Sequence, residues 1–499
     1  MSWDVLDIVP NAFETDSAPS SLPAGTMDTI SNVDFYTGTV RALGGFTSRR
    51  AMTQAPAALQ GFSDASAAYV GILGSLMQVW TPTNALNNIA PTTGLTGAAY
   101  WDTTNFGSYM VCTNDTVGQL PHAISVNTAA TGGKLAPLAG WPATWECTII
   151  STHRNVLWAG DTIEAGVAYP HRVRWSVSSP TDALPGDWVP AASNDAGQND
   201  IELASSRVVD FCAIGDTMFM GGPGGLWAAR WVGGAYVYTF SQINSTQGPR
   251  GLRCMASMGD AGVMVTPNDI VVFNESEQFS IATGRILKLV AQFFNVQIMY
   301  VPTTRQLIVA YGLQNETGLQ HSLIWDRDSN TWGKRDFTNT PFTAIAPLIV
   351  PVVTTPTTWA TAPYTWDTDI RAWNLPYRQE QIYCGANATG IYTAGNSGYN
   401  WFMQRQGMPA PNGDQIRVRS LELNADAAEG TQVRIRIGCS GFAGDPPTWG
   451  PIKTYTVGTD KLRHDDAQQG RFFSYQLSGD ALIRISGVKL YYSVRSSRP

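Results

Sequence analysis

The sequence predicts an all-β protein, and three observations carry that reading. Charged residues make up only 14% of the 499-residue chain, against roughly a quarter in an ordinary soluble domain. Small polar residues take their place, with 48 Gly and 29 Pro, a mixture that favours strands and turns over helices. The third observation is a weak internal repeat. Gly215-Asp216 and Pro223 in CAIGDTMFMGGPGGLW recur, 44 residues on, as Gly259-Asp260 and Pro267 in SMGDAGVMVTPNDIVV. Each copy reads as turn, apolar strand, turn, apolar strand.

HRNVLWAGDT (153–162) and GSYMVCTNDTVGQL (107–120) read as less regular copies of that hairpin, and RQLIVAYG (305–312) with HSLIWDRDSNTWGKRDF (321–337) gives two strands closed by a polar turn and a Trp. A period in the forties with four short strands per unit is the mark of a β-propeller blade. One such blade cannot bury both faces, whereas blades stacked about an axis cover one another and leave only short edges. The expected fold is therefore all-β and β-propeller-based, with about six to eight blades of degenerate repeat. A pair of β-sandwiches with coincidental turn spacing is the competing architecture. Trp332 and its counterparts are expected to pack between neighbouring blades.

Taken in order, residues 1–50 read as an N-terminal arm and hairpin. The first forty residues hold six acids (Asp4, Asp7, Glu14, Asp16, Asp28, Asp34) and no Lys or Arg, so no basic leader of a signal peptide is expected. NVDFYTGTVRALGGF (32–46) alternates like a strand, can turn at Gly38, and then carries Arg41 and Gly44-Gly45. It is no phosphate loop, because no lysine and no helical pattern follow the glycines. Residues 51–337 form the expected propeller core. Residues 338–385 read as a Pro/Thr-rich excursion, since prolines this frequent demote central strands. Residues 386–499 read as an additional antiparallel C-terminal β region, able to close the propeller. There TQVRIRIG (431–438) alternates Val433, Ile435 and Ile437 with Arg434 and Arg436, a half-buried strand with a basic outer face and a candidate interface. GRFFSYQLSGDALIRISGVKLYYSVRSSRP (470–499) reads as three more short strands. Residues 401–499 hold 13 basic against 9 acidic residues. The two ends of the chain could thus meet different partners, although charges on solvated faces would look the same.

Little in the sequence points to catalysis. The five histidines (122, 153, 171, 321, 464) show no HExxH and no zinc spacing. His464-Asp465-Asp466 and the DRDSNTW run at 326–332 read as polar turns, the latter lacking the glycine and distal Glu of a calcium loop. The six cysteines are widely spaced without a CxxC pair, as buried free thiols would be. There is no run of 18 apolar residues to suggest a membrane span. No catalytic, cofactor-binding or metal-ligating residue is assigned, and the chain is not expected to be an enzyme.

LPAGTMDTISNVDFYTGTVRALGGF (22–46) resembles the N-terminal signature of the tail nozzle proteins of short-tailed bacteriophages, also called tail tubular protein B or phage stabilisation proteins. Leu22, Pro23, Asn32, Val33, Phe35, Gly38, Arg41, Gly44 and Gly45 fill its places. PHRVRWSVSSPTDALPGDWVP (170–190), INSTQGPRGLRCMASMGDAGVMVTPNDIVVF (243–273) and the closing strands are similar to later segments of that family. The Pro/Thr-rich stretch has no counterpart in it. The resemblance implies a structural virion protein of the tail, made in the host bacterial cytoplasm and assembled as a homo-hexamer beneath the portal. Its expected partners are the adaptor (head-to-tail connector), tail fibre or needle proteins, and genomic DNA passing through without sequence-specific binding. The opening hairpin would lie against the propeller, with Arg41 as an anchoring side chain. The channel is expected to be neutral to acidic, because each neutralised phosphate would add affinity and retard sliding.

Two other function classes compete with this one. A carbohydrate-binding β-propeller would use exposed aromatic rings to stack sugars. A hydrolytic propeller such as a glycosidase would need two carboxylates facing a central pocket.

Overall fold

The computed structural model describes residues 4–36, 38–64, 67–92, 95, 100–180, 183–203, 207–233, 237–337, 340–351, 382–395, 398–460 and 463–495. The all-β reading holds. Strands dominate, and among the described residues the α-helices are two short ones, Val126–Ala130 and Leu287–Val290.

Seven antiparallel four-strand units follow one another along the described chain, six as separate sheets and the sixth in order as one end of a ten-stranded sheet. Their first strands are Pro56–Ser63, Trp101–Phe106, Trp145–His153, Asp210–Ile214, Met255–Ser257, Asn295–Val301 and Ala344–Leu348. Each first strand lies against the first strand of the next unit, and Ala344–Leu348 lies against Pro56–Ser63 in turn. The two Gly-Asp turns singled out by the repeat fall at the same place, between the first and second strands, and Pro223 and Pro267 both fall between the second and third. Gly215 (φ 56°) joins Asp210–Ile214 to Thr217–Gly222, and Gly259 (φ 97°) joins Met255–Ser257 to Gly262–Val265. Gly107 (φ 56°) and Arg154 (φ 54°) occupy the equivalent turns of the second and third units. The left-handed conformation these tight hairpins require explains the glycines. Neighbouring units bury their apolar faces together: Leu59, Val70 and Ile72 of the first pack with Ala346, Leu348 and Cys384 of the seventh. Trp332, 1% exposed, reaches from the sixth unit and donates its indole N–H to the Ile281 carbonyl beside the fifth.

The seventh unit is built from both ends of the chain. Ala344–Leu348, Ile382–Ala386 and Gly390–Ala394 are completed by Phe46–Ala51, which pairs antiparallel with Gly390–Ala394. The divisions expected at 50/51 and 385/386 therefore fall inside strands. The expected excursion also begins with a strand, Ala344–Leu348, despite Pro347. That strand pairs on one side only, so an imino acid costs it no ladder bond. Residues 352–381, most of the Pro/Thr-rich stretch, lie outside the described residues.

The C-terminal region forms two sheets that share one core. Trp401–Pro409, Gln432–Ser440 and Phe472–Gly479 belong to one, and Gln415–Asp426 and Arg484–Arg495 to the other. Ile416, Val418, Leu421 and Leu423 from the second meet Val433, Ile435 and Ile437 from the first. The expected alternation of residues 433–437 is present, with Arg434 exposed. The three short strands expected over 470–499 are instead two long ones, Phe472–Gly479 and Arg484–Arg495. A single pair of register shifts, at Val418/Ser420 and Asn424/Ala425, keeps the long ladder between Gln415–Asp426 and Arg484–Arg495 in step. All six cysteines (112, 147, 212, 254, 384, 439) are buried and form no disulfide.

Candidate functional site

The residues that carry the sequence signature converge on one junction. Val33–Tyr36 and Thr39–Ala42 form a hairpin turning at Gly38, whose left-handed conformation (φ 75°) glycine adopts without strain. One edge of this hairpin pairs with the sixth unit through Val33 and Lys334, and the other with the C-terminal region through Arg41 and Arg484. Val33, Phe35 and Val40, each 2% exposed or less, are buried in the core shared by both.

Asn32 holds the approach. It adopts φ 57°, a conformation that Asn tolerates better than other side chains. Its Nδ2 donates to the Asn400 carbonyl at 2.6 Å, its Oδ1 accepts from the Asp336 amide at 2.9 Å, and its own carbonyl accepts from the Leu43 amide at 2.8 Å. Further upstream Leu22 is buried and Pro23 exposed. The fully buried Arg405 donates to the carbonyls of Pro19 and Leu22, both at 2.6 Å, clamping that segment onto Trp401–Pro409. Downstream, the Gly45 carbonyl accepts from the Gly395 amide at 2.7 Å as the chain enters the seventh unit. Arg434 and Arg436 lie elsewhere, on Gln432–Ser440. Arg436 donates to the Gly450 carbonyl at 2.8 Å and lies 5.6 Å from the Trp449 ring.

Beside the hairpin opens a cleft of about 680 Å³ in which Asp34, Arg41, Gly44, Arg335, Asp426 and Arg484 meet. Arg41 grips the buried Asp34 in a fork, Nε to Oδ1 at 2.9 Å and Nη2 to Oδ2 at 2.5 Å, and this pairing raises the Arg41 pKa. Arg335 is different. It is 6% exposed, its guanidinium makes no hydrogen bond or ion pair among the described residues, and it lies 5.0 Å from the Phe46 ring. Burial lowers its pKa. Sequence reading missed Arg335 because KRD at 334–336 looks like any polar strand end; only the fold puts it in a cleft.

A second cluster lies where the seven first strands meet. Asp102 accepts from the Ile150 amide at 2.7 Å, Asp210 from the Met255 amide at 2.7 Å, and Gln297 from the Ile345 amide at 3.1 Å. These three bonds tie the second unit to the third, the fourth to the fifth and the sixth to the seventh. The remaining carboxylate oxygens accept from the Thr103 and Phe211 amides, each at 2.9 Å. Burial pushes Asp102 up to about 6 and Asp210 well above the usual carboxylate range. Arg253, in the left-handed conformation (φ 59°), donates to the carbonyls of Ala57 and Trp101. Asp102, Asp210 and Arg253 line a cavity of about 250 Å³. Two acids do face a central cavity, as a hydrolase would require, but one oxygen of each accepts from an amide of the next unit and the other from the amide of the following residue in its own strand. Among the described residues no cluster of His, Cys, Asp or Glu has the make-up of a metal site, and no helix is long and apolar enough to cross a membrane.

Compared with known protein families and with curated proteins, the chain matches none.

Proposed function

We propose that this chain is a structural subunit of the distal tail tube, the nozzle, of a short-tailed bacteriophage. Its seven four-stranded units are the blades of a β-propeller, held shut by strand Phe46–Ala51 completing the seventh blade, and its C-terminal sheets form a fused platform. The observation that carries the reading is the placement of residues 22–46. The segment that resembles the nozzle signature is a joint between blade and platform, engaged through Asn32, the backbone pairing of Arg41 with Arg484, and the buried Val33 and Phe35. Such a joint suits a rigid building block.

The nozzle reading carries an expectation for the path of DNA. The centre of the blades is crossed by Arg253, bonded to the Ala57 and Trp101 carbonyls, and such a crossing leaves no bore for a duplex. The exit channel therefore runs between copies, about the axis of a homo-hexamer that docks to the adaptor and carries fibres or a needle. The low charge of the chain, 14% Asp, Glu, Lys and Arg, favours a wall along which phosphates slide. Antibody-labelled negative-stain electron microscopy of lysate from the source system tests the proposal. Label at the tail tip of short-tailed particles supports it, and protein that stays free of particles overturns it.

A second reading, a carbohydrate-binding propeller, draws on one observation. Tyr100 and Phe294 stand 62% and 55% exposed beside a cavity of about 610 Å³ that also presents Arg250 and Gln297. Aromatic faces flanking polar groups suit sugar rings, and glycan binding lost in Tyr100→Ala would favour this reading over the nozzle.

A further inference from the structure

We infer that the cleft between the hairpin and the C-terminal sheets is an oxyanion-binding site, with Arg335 at its base and Arg484 at its rim. A buried guanidinium without partners is costly, because desolvation of its charge is returned only when an anion or acceptor meets it. Arg335 has no such partner among the described residues: its Nε is buried and unbonded, and the Phe46 ring is its nearest attraction. The one buried carboxylate close by, Asp34, is already taken by the two-pronged grip of Arg41. Across the cleft Arg484, exposed, pairs by backbone with Arg41 and has no carboxylate partner among the described residues. Three guanidinium groups thus face two carboxylates, Asp34 and Asp426, leaving one positive charge in excess in an open volume of about 680 Å³.

Arginine forks match the planar edge of a carboxylate or two oxygens of a phosphate. The ligand is accordingly an oxyanion group, supplied either as free phosphate or as the side-chain carboxylate of a second copy of the chain. The inference does not depend on the tail reading, because it rests on the cleft alone.

The test uses the full chain in low-salt buffer, with inorganic phosphate and sodium acetate as probes and thermal unfolding and calorimetry as readouts. A saturable rise in the unfolding midpoint with either probe is expected. Arg335→Met should raise the midpoint without probe, by removing an uncompensated buried charge, and should abolish the probe-dependent rise. Arg484→Gln, at an exposed position, should keep the fold and weaken binding about tenfold, the loss of one charge-assisted contact. Arg434→Gln, outside the cleft, should change neither. Sedimentation separates the sources: phosphate that dissolves self-association identifies a partner copy's carboxylate, and binding with no change in assembly identifies free phosphate. No saturable response to either probe overturns the inference. So does an equal response in Arg335→Met, or, should that variant not fold, an unchanged affinity in Arg484→Gln.

Discussion

The guanidinium of Arg253 donates to the main-chain carbonyl of Ala57 at 2.9 Å, joining two positions 196 residues apart across the centre of the fold. Its second branch reaches the Trp101 carbonyl, and Asp102 and Asp210 supply the surrounding negative charge. Arg253→Met keeps much of the side-chain volume but strands two carbonyls and leaves both acids without a cation. Removing one member of a buried charged group costs about 3–5 kcal/mol. The expected outcome is a urea midpoint lowered accordingly, with an unchanged slope. A loss below about 1 kcal/mol would show that the central cluster is not a fastening.

Asn32 separates backbone strain from hydrogen bonding. Asn32→Gly preserves φ 57° without strain and loses the bonds to Asn400 and Asp336, which should cost about 2 kcal/mol through the buried groups left unpaired. Asn32→Ala adds the left-handed penalty of an ordinary L-residue, about 1 kcal/mol more. Chemical denaturation of the pair reads the difference directly. Equal losses would mean that the backbone relaxes out of the left-handed region.

His321 bridges two carboxylates, Nδ1 to Asp336 and Nε2 to Glu316 at 3.0 Å, with Tyr311 packed against its ring and Lys334 3.1 Å from Asp336. Burial acts to lower the imidazole pKa, but the bonds to Asp336 and Glu316 outweigh it and the pKa is raised above 6.5. Glu316 and Asp336 are lowered below 4.5 and 3.8, burial opposing and the bonds and charges prevailing. The His321 contribution is complete below pH 6.5 and is lost as pH rises through its raised value. The carboxylate contributions are complete above pH 4.5 and are lost as pH falls through their lowered values. Stability from this triad is therefore fullest between about pH 4.5 and 6.5. His321→Gln should flatten the decline on the alkaline side of that window, as followed by thermal melts from pH 5 to 8.

Burial should silence the thiols. Cys112 and Cys147 are pushed up to about 12 by desolvation, and all six cysteines are buried and outside any disulfide. Ellman's reagent should find no rapidly reacting thiol in the native protein and six after denaturation, since reaction requires exposed thiolate. Fewer than six on unfolding would reveal a disulfide.

Much of the fold was legible where structure is local. The Gly215-Asp216 and Gly259-Asp260 turns marked equivalent hairpins because a tight turn demands a left-handed residue whatever surrounds it, and the run from Val433 to Ile437 announced its buried face by simple alternation. What stayed hidden was non-local. Nothing near Phe46–Ala51 says that its ladder partner lies about 340 residues later at Gly390–Ala394. Pro347 argued against a strand because sequence does not tell an edge from a centre. The cleft was half visible: Arg41 stood out within its motif, while Arg335 and Arg484 became neighbours only through the pairing of three separated strands.

That pairing carries a mechanical consequence. Because the hairpin at 33–42 is hydrogen-bonded to the sixth unit on one edge and to Arg484–Arg495 on the other, a continuous ribbon of backbone bonds crosses from one body to the next. A pull that parts the C-terminal sheets from the sixth unit would have to break the pairing of Lys334 with Val33, or that of Arg484 and Ile485 with Arg41 and Val40, and expose the buried Val33, Phe35 and Val40. Tension between the two passes through the hairpin, which is the tie that holds them.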